Sequence, residues 1–492
     1  MGIYTQLQFD NSYLRELKGF YAECHAEPAP LPTWVKFNHS LADEIGVHGE
    51  DFLTADGARI FSGTTLPLGA AAIAQVYAGH QFGNFSPQLG DGRALLLGEV
   101  IDRLGRRRDI QLKGSGRTPF SRNGDGKAAL GPMLREYLMG EAMHNLGVST
   151  TRALAVVGTG SWVRRELLLP GAVLTRVAAS HIRVGTFEYF AAQGDISNVQ
   201  RLTDYTIRRH FPELIGQPYI KFLLAVIERQ ADLVASWMSV GFIHGVMNTD
   251  NMTLSGETLD YGPCAFLEHY DPATVFSSID LRGRYAFGNQ PAIAQWNLAR
   301  LAETLLPLLN VDNKRAMQLA TEAINAFPEQ YEKSWLTLMR RKMGLHQAEA
   351  GDAELARDFL EALQAGQADY TLSWRYLADV TEHSPARLRS VFRADTKKLD
   401  AWLHRWLVRL EKEGLPAAKI AAEMRCVNPY LIPRNHLVEQ VLKAASENNN
   451  IEPFNRLLEA LDDPYSEHES VSNYAKPATF EQTAGYQTFC GT

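Results

Sequence analysis

The residue types best suited to chemistry in this chain lie in the stretch His244–Asn251 and in Asp260, nine residues beyond it. Asp250 and Asn251 are neighbours in a polar, turn-forming loop, and Asp260 begins the triplet Asp-Tyr-Gly. Carboxylate and amide oxygens are the protein ligands that Mg²⁺ takes when it also binds the phosphates of a nucleotide. The spacing therefore predicts a nucleotide site in which Asn251 and Asp260 are the metal ligands.

The elements around this stretch are those that position such ligands in a protein-kinase-like fold. An apolar pattern at helical spacing runs from Phe222 to Phe242, and a short apolar strand separates the loop from Asp260. A kinase base stands five residues before the metal-binding asparagine, which is the position of Val246 here. Because valine cannot accept a proton, the usual base is absent, and Asp250 is the acid beside the metal ligands.

A second group of candidates lies in a β-like stretch that ends at Lys113. Gly90 and Gly92 stand in a turn before the apolar run Ala94–Ile101, and Lys113 closes the next strand. Glycines in such a turn let backbone N–H groups approach phosphate oxygens closely. A G-x-G pair is more often a plain hairpin turn, but a lysine one hairpin later favours a phosphate site.

An acid is needed to position this lysine, and the helical pattern Leu130–Leu146 offers two. Glu136 and Glu141 are the candidates, and Glu136 is the better placed near the start of the helix. The connecting loop Arg117–Lys127 is rich in glycine and basic residues. It is either a flap over phosphates or an ordinary strand-to-helix connection.

Two arginines, Arg176 and Arg183, follow apolar strand residues in a further β-rich stretch, residues 148–190. An arginine at the edge of a buried element needs an anion. That anion is either a carboxylate, as in a salt bridge, or a phosphate, and the residues alone leave both interpretations open.

Composition limits the class of protein. The chain has 492 residues, of which 45% are hydrophobic and 21% charged, as is ordinary for a globular protein with a large core. A formal net charge of −7 argues against a nucleic-acid partner, and the longest apolar runs are too short for a membrane span. Four dispersed cysteines form neither a zinc cluster nor a disulfide scaffold. We expect a cytoplasmic monomer without a membrane partner.

These patterns together predict an α+β chain with a protein-kinase-like bilobal fold and a helical C-terminal extension. The expected parts are a leader over residues 1–65, with a helix at Tyr13–Glu23, and a β-rich N-lobe over 66–190 with the nucleotide loop and the Lys–Glu pair. A C-lobe core with the metal site follows over 191–330, then helices over 331–464 and a tail over 465–492.

Several longer strings are specific enough to indicate a family. On them the chain resembles the selenoprotein O family, also called YdiU, whose members are pseudokinases that act as protein nucleotidyltransferases. The matching strings extend from about residue 77 to the C-terminus: Tyr77–Gly83, Pro87–Arg93, Gln111–Pro119, Ser180–Phe190, His244–Asn251, Asp260–Pro263, Gly288–Pro291 and Asn428–Glu439.

The resemblance implies transfer of AMP from ATP to Ser, Thr or Tyr hydroxyls of proteins, with pyrophosphate released and ATP inverted relative to a kinase. Carried over to this chain, Gly90, Gly92 and Arg93 would form the nucleotide loop. Asp125 and Gly126 would contact the nucleotide from the flap.

The same resemblance implies how the phosphates are bound. Lys113, positioned by Glu136, would hold phosphate oxygens, and Arg176 and Arg183 would bind the inverted β/γ end. A triphosphate tail placed where a kinase holds adenine needs new cations there, which agrees with the two arginines.

The remaining roles implied by the resemblance concern the metal and the base. Asn251 and Asp260 would hold Mg²⁺ or Mn²⁺, Asp260 also facing the nucleotide, and Asp250 would accept the proton of the protein hydroxyl. UTP with Mn²⁺ can also serve as a donor in this family.

Members of the family can also carry a disulfide between a cysteine downstream of the D-x-G acid and a C-terminal cysteine. Cys490 matches the terminal position, but Val275–Asp280 contains no cysteine. Cys264, closer to the acid, is the candidate partner.

Two other functions compete with nucleotidyl transfer. A phosphotransferase with Asp250 as a displaced base would leave ADP, whereas a non-catalytic scaffold would only bind nucleotide. Retention of Lys113 and Glu136 together with both metal ligands argues against a scaffold.

Overall fold

The computed structural model describes residues 2–489, and the first part of that chain is built on one antiparallel sheet. The strands of the described chain are β1 (Tyr21–Glu23), β2 (Thr33–Phe37), β3 (Ile73–Gln75), β4 (Gly79–Gln81), β5 (Asn84–Ser86), β6 (Ala94–Ile101), β7 (Arg107–Lys113), β8 (Ala128–Ala129), β9 (Arg152–Arg164), β10 (Leu168–Ala178), β11 (Phe242–Ile243) and β12 (Ala265–Phe266).

The main sheet has eight strands in the order β1-β3-β6-β7-β10-β9-β2, with β8 paired to β10. Lys113 at the end of β7 pairs with Ala94 of β6 on one side and with Leu174 of β10 on the other. The lysine therefore lies in the middle of the sheet, beside the glycine turn that precedes β6. Two short antiparallel pairs, β4–β5 and β11–β12, stand apart from this sheet.

The expected leader over residues 1–65 is part of this sheet. β1 pairs with β3 and β2 pairs with β9, so residues before position 65 supply both edges. The helix predicted over Tyr13–Glu23 is wrong: it ends at Glu16, and Tyr21–Glu23 is β1. Gly19, at φ +94°, turns the chain between the two.

The helices outnumber the strands and dominate the chain after residue 184. They are α1 (Ser12–Glu16), α2 (His39–Glu44), α3 (Gly49–Phe52), α4 (Ala55–Phe61), α5 (Leu130–Asn145), α6 (Val184–Ala192), α7 (Ile196–His210), α8 (Tyr219–Val240), α9 (Gln290–Leu309), α10 (Asn313–Asn325), α11 (Phe327–Lys342), α12 (Asp352–Ala365), α13 (Tyr370–Glu382), α14 (Ala386–Ser390), α15 (Lys397–Glu411), α16 (Ala417–Val427), α17 (Asn435–Asn448), α18 (Glu452–Ala460), α19 (Ser472–Ala475) and α20 (Phe480–Thr483).

Three hydrophobic cores hold these layers together. The largest joins the α5 face of the sheet to α8, α9 and α17. A second, behind the sheet, packs Phe52 and Phe61 of the first 65 residues against Leu112 and Val173 of the strands. The third lies among the later helices and contains Trp374 and three further tryptophans. One sheet covered by helices confirms the predicted α+β class.

Helix α8 delivers the chain to the loop that carries the predicted metal ligands. It ends at Gly241, whose φ of +76° reverses the chain into β11. β11 then pairs with β12, so the intervening residues 244–264 form one closed loop. Between residues 2 and 489, no helix is both long and apolar enough to cross a lipid bilayer.

Candidate functional site

One cavity of about 1170 Å³ opens between the sheet, α5 and the loop of residues 244–264. The residues predicted from the sequence all line it: Gly90, Gly92, Arg93, Lys113, Asp125, Gly126, Glu136, Arg176, Arg183, Asp250, Asn251 and Asp260. Their sequence separations are large, so the fold has gathered them into one site. The part that each plays there stays a prediction.

A cluster of ion pairs forms the inner wall of the cavity. Lys113 Nζ donates to Glu136 Oε2 at 2.6 Å and also contacts the Asp260 carboxylate. Arg176 Nη2 donates to Glu136 Oε1 at 2.5 Å and to Asp260 Oδ1 at 2.6 Å. The acid predicted to position Lys113 is therefore Glu136. The other candidate, Glu141, instead pairs with Arg152 at 2.6 Å.

The cations of this cluster control the charge of its acids. Burial alone would raise the pKa of Asp260, but Arg176, Lys113 and Arg183 hold it well below its ordinary value. The pKa of Glu136 is likewise lowered, because Arg176 and Lys113 outweigh its burial. Asp260 also has a left-handed backbone, φ +65°, which few residues other than glycine adopt. The Asp260 carboxylate is thus ionised and held by its surroundings.

Arg183 connects this cluster to the loop of Asp250. Its Nη1 donates to the backbone carbonyl of Asp250 at 2.9 Å and lies 3.7 Å from Asp260 Oδ2. Its Nη2 lies 3.5 Å from Asp91 Oδ1, and its guanidinium stacks on the Tyr77 ring at 4.4 Å. The anions that both arginines contact in this structure are carboxylates, the salt-bridge alternative left open by the sequence.

Asp250 sits on a single 3₁₀ turn, Thr249–Asn251, and also lines the cavity. Burial raises the pKa of Asp250 to about 6 despite the nearby Arg183. Its Oδ1 is buried and has no hydrogen-bond partner within residues 2–489. A Cβ on Gly79 would lie 2.6 Å from this oxygen, so only glycine fits there. Such a carboxylate is suited to accepting a proton near neutral pH.

Sequence reasoning missed the residues that hold this turn. Glu188 on α6 accepts a hydrogen bond from Thr249 Oγ1 and pairs with His80 Nδ1 at 2.5 Å. The His80 backbone N–H donates back to Thr249 Oγ1 at 2.6 Å. The strings Tyr77–Gly83 and Ser180–Phe190 contain His80 and Glu188, but only the fold shows that both meet Thr249.

Asn251 lies on the same turn with its side chain oriented by the loop. Its Nδ2 donates to the Val246 carbonyl at 2.9 Å, which leaves Oδ1 for another partner. In the described part of the chain, no group of three or more His, Cys, Asp and Glu side chains could hold a metal by itself. A cation held by Asn251 and Asp260 would therefore need further ligands from phosphate and water, and this pair of ligands stays a prediction.

The glycine turn and the loop 117–127 pack against each other. Gly90 is at φ +70°, and a Cβ on it would lie 2.3 Å from the Phe120 ring. Ser121 Oγ donates to the Gly92 carbonyl at 2.5 Å. In this structure the two glycines make room for the loop, a use that the sequence pattern did not indicate.

The predicted flap residues are tied to the β9–β10 hairpin. Asp125 Oδ2 accepts from Arg165 Nη1 at 2.9 Å. Gly126 has φ +68°, and a Cβ on it would lie 2.0 Å from the Gly116 carbonyl oxygen. Arg165 was not predicted, although it lines the same cavity.

The C-terminal segment reaches the cavity. Thr488 donates its backbone N–H to Phe276 O at 2.8 Å and its hydroxyl to Pro263 O at 2.7 Å. Cys490 of the predicted disulfide lies outside the described residues. Cys264 is free and buried, and burial raises the pKa of its thiol to about 11.

Comparison with known proteins agrees with this geometry. A family model described as "Protein adenylyltransferase SelO" matches residues 4–462. A protein of Cereibacter sphaeroides named "Protein nucleotidyltransferase YdiU" is 59% identical over 488 residues, covering 99% of each chain. Proteins of the same name from Chromobacterium violaceum and Rhizobium meliloti are 56% and 55% identical, covering 96% and 99% of this chain and 99% and 100% of theirs. The resemblance inferred from the sequence strings is confirmed, and the chain belongs to the SelO (YdiU) family.

Proposed function

We propose that this chain transfers AMP from ATP to hydroxyl groups of proteins and releases pyrophosphate. The observation that carries the proposal is one cavity with two different acids. Asp260 is surrounded by Lys113, Arg176 and Arg183, whereas Asp250 has a carboxylate oxygen without a partner within the described chain. The first arrangement suits binding of phosphates and the second suits removal of a proton. The names of the family and its relatives support the same reaction.

In the proposed step, the oxygen of a Ser, Thr or Tyr side chain attacks the α-phosphorus of ATP. The bond from that phosphorus to the bridging oxygen breaks, and pyrophosphate leaves with its electron pair. The hydroxyl proton passes to the Asp250 carboxylate, whose pKa of about 6 keeps it mostly ionised at neutral pH. Val246, at the usual kinase base position, takes no part in this transfer.

The inverted orientation of ATP is part of the proposal. Lys113, Arg176 and Arg183 would bind the β- and γ-phosphates, which requires part of their contact with Asp260 to be exchanged for phosphate oxygens. Arg93 and the flap residues Asp125 and Gly126 would contact the rest of the nucleotide. The Gly90–Gly92 turn supports this site by packing under the flap.

The metal would be Mg²⁺ or Mn²⁺, held by Asn251 and Asp260. When bound, it would neutralise the charge that develops on the departing pyrophosphate. Glu136 would keep Lys113 and Arg176 in place while Asp260 turns to the cation. UTP would be a second donor for the same site.

We also infer that the sheet and the following helices are the two lobes of a protein-kinase-like fold. The proposed limits are 66–190 for the N-lobe, joined by its edge strands from the first 65 residues, and 191–330 for the C-lobe core. A helical extension over 331–464 and a tail over 465–492 complete the chain, acting as a monomer in the cytoplasm.

The test uses ATP labelled with ³²P at either the α or the γ position, with Mg²⁺, a bacterial lysate and the wild-type chain. Label entering protein only from the α position is the expected result. Label only from the γ position would make the chain a phosphotransferase and contradict the proposal. No label from either, with ATP binding measured separately, would leave a non-catalytic scaffold. Asp250→Asn, which cannot accept the proton in the proposed step, is the matched control and should transfer much less label from the α position.

A further inference from the structure

Arg284 lies outside the nucleotide cavity and packs against the β4–β5 hairpin, whose first residue contacts Asp250. Arg284 follows Asp280, whose carboxylate accepts the backbone N–H groups of Arg284 at 2.9 Å and Tyr285 at 2.7 Å. These bonds fix the turn that presents the Arg284 side chain. Arg284 does not line the cavity, although Gln81 and Phe82 of the neighbouring hairpin do.

Trp296 and Gly83 cover the two faces of the Arg284 guanidinium. Its central carbon lies 4.8 Å from the centroid of the Trp296 ring. A Cβ on Gly83 would lie 3.5–3.6 Å from that carbon and from both terminal nitrogens, so Gly83 lies over the plane of the group. Because the faces are occupied, the N–H edge is the part that can bind a partner.

No carboxylate forms an ion pair with Arg284 within residues 2–489. Its Nε is buried and has no hydrogen-bond acceptor in that part of the chain. Arg300 also stacks on Trp296, at 4.9 Å, and its Nε likewise has no acceptor there, but its Nη2 pairs with Glu303 at 2.7 Å. The carboxylate is therefore the difference between the two arginines. Arg284 is therefore a fixed positive charge that lacks an anion.

The β4–β5 hairpin gives the distance from this charge to Asp250. Gly79 at the start of the hairpin is the residue against Asp250 Oδ1, and Gly83 at its tip is the residue against Arg284. Gly79 and Gly83 are four positions apart: β4 contributes extended steps of roughly 3.3 Å each, and the Phe82–Gly83 turn then reverses the chain, so the two contacts lie within about 10 Å of each other. An extended acceptor with its hydroxyl at Asp250 would bring a side chain two or three residues away to Arg284.

The hairpin tip and the Arg284 turn are joined rigidly. Asn248 Oδ1 accepts from Phe82 N at 3.0 Å and from Tyr285 Oη at 2.7 Å, and the Phe82 and Tyr285 rings lie 5.1 Å apart. Asn248 is in the loop of Asp250. The position of Arg284 relative to the base is thus set by direct contacts.

We propose that Arg284 is a specificity-determining residue that binds an Asp or Glu side chain two or three residues from the acceptor hydroxyl. The inference rests on the proposed function and names the class of protein substrate: acceptor segments with an acid near the modified residue. The Arg284 guanidinium has the Tyr285 hydroxyl as a side-chain partner but no carboxylate among residues 2–489, and an acid of the substrate would add charge-assisted hydrogen bonds.

The test compares wild type with Arg284→Ala, Arg284→Glu and the matched control Arg300→Ala. Each is incubated with ATP, Mg²⁺ and a bacterial lysate, and AMP-modified sites are quantified by mass spectrometry. Arg284→Ala should lower modification of sites with a nearby acid by roughly ten-fold relative to sites without one. Arg284→Glu should shift the preference to sites with Lys or Arg there. Arg300→Ala should retain the wild-type preference, since its guanidinium already has a carboxylate.

Equal loss at acidic and non-acidic sites in Arg284→Ala would overturn the inference, as would the same change in Arg300→Ala. ATP affinity, measured by calorimetry, should stay within about two-fold of wild type in every variant, since Arg284 lies outside the cavity. A larger loss of ATP affinity in Arg284→Ala would assign the residue to the nucleotide instead. A wild-type chain that modifies no site would refute the proposed function itself, which distinguishes that failure from loss of preference alone.

Discussion

The segment from Asp250 to Asp260 has an aspartate at each end; both line the cavity, and the two behave in opposite ways. The pKa of Asp260 is held well below its ordinary value, whereas the pKa of Asp250 is raised to about 6. Burial pushes both values upward. Asp260 has Lys113 and Arg176 within hydrogen-bond distance, but Arg183 bonds only the backbone carbonyl of Asp250.

The difference teaches that the placement of cations, more than burial, sets the chemistry of each end. An acid among three cations stays ionised and can exchange one of them for a metal. Asp250, whose side chain is hydrogen-bonded by Gln81 but whose Oδ1 has no partner among residues 2–489, keeps one oxygen for a proton. In the proposed step, Asp260 is thus the anion at one end of this segment and Asp250 the base at the other.

The largest expected effect is at the cation-rich end. Asp260→Ala removes a proposed metal ligand and leaves the Lys113–Arg176 charges facing Glu136 alone. We expect AMP transfer to fall by roughly a thousand-fold or more, measured with α-³²P-ATP. Asp358→Ala, which breaks an ion pair with Arg405 at 2.5 Å far along the helices, is the control and should retain activity. Undiminished AMP transfer in Asp260→Ala would contradict the proposed role of Asp260 in metal binding.

The base at the other end should contribute less. Asp250→Asn keeps the shape of the side chain but cannot accept the proton, so the turnover number should fall by roughly a hundred-fold. ATP affinity should change little, because Asp250 binds no phosphate in the proposed step. Equal turnover of the variant and wild type at pH 7 would show that another group takes the proton.

Arg176 tests which end of the nucleotide faces the cations. Arg176→Ala should weaken binding of ATP by about ten-fold or more, since a charge-assisted bond to phosphate is lost. AMP, which lacks the β- and γ-phosphates, should be affected much less. Calorimetric titration of both nucleotides gives the ratio, and equal weakening would contradict the inverted orientation.

A third buried acid, Glu257, lies outside the cavity and allows the same comparison of pKa values. Burial raises the pKa of Glu257 to about 7, and its nearest paired cation is Arg108 at 3.7 Å. Between the ordinary value of 4.5 and about 7, the folded chain keeps a proton that the unfolded chain has lost. The contribution of Glu257 to the free energy of unfolding is therefore fully present at low pH and declines as the pH rises through that window.

The decline should reach at most about 1.4 kcal/mol of unfolding free energy per pH unit. Glu257→Gln, which cannot ionise, should remove it. Urea unfolding of both proteins from pH 5 to 8 measures the difference. A difference that does not change with pH would show that Glu257 is ionised when folded.

Local spacing predicted a large part of this structure. The apolar run Ala94–Ile101 is strand β6, and the helix pattern from Leu130 is α5, which begins at that residue. The wrong prediction at Tyr13–Glu23 has a non-local cause, because the edge strand there has three residues and gains its hydrogen bonds from β3, about fifty positions away. Such a strand carries too short a pattern to be recognised.

The sequence by itself determined the family, elements with a clear pattern such as β6 and α5, and the predicted residues that line the cavity, because periodicity and motif spacing are local properties. Only the tertiary structure decided which charges meet: Arg176 with Asp260, His80 with Glu188, and Arg284 with Trp296 instead of a carboxylate. These partners are separated by 12 to 108 positions, and sequence spacing holds no information about such contacts. The pKa values of Asp250 and Asp260 depend on those contacts and on burial, so the division into a base and an anion emerges only after folding.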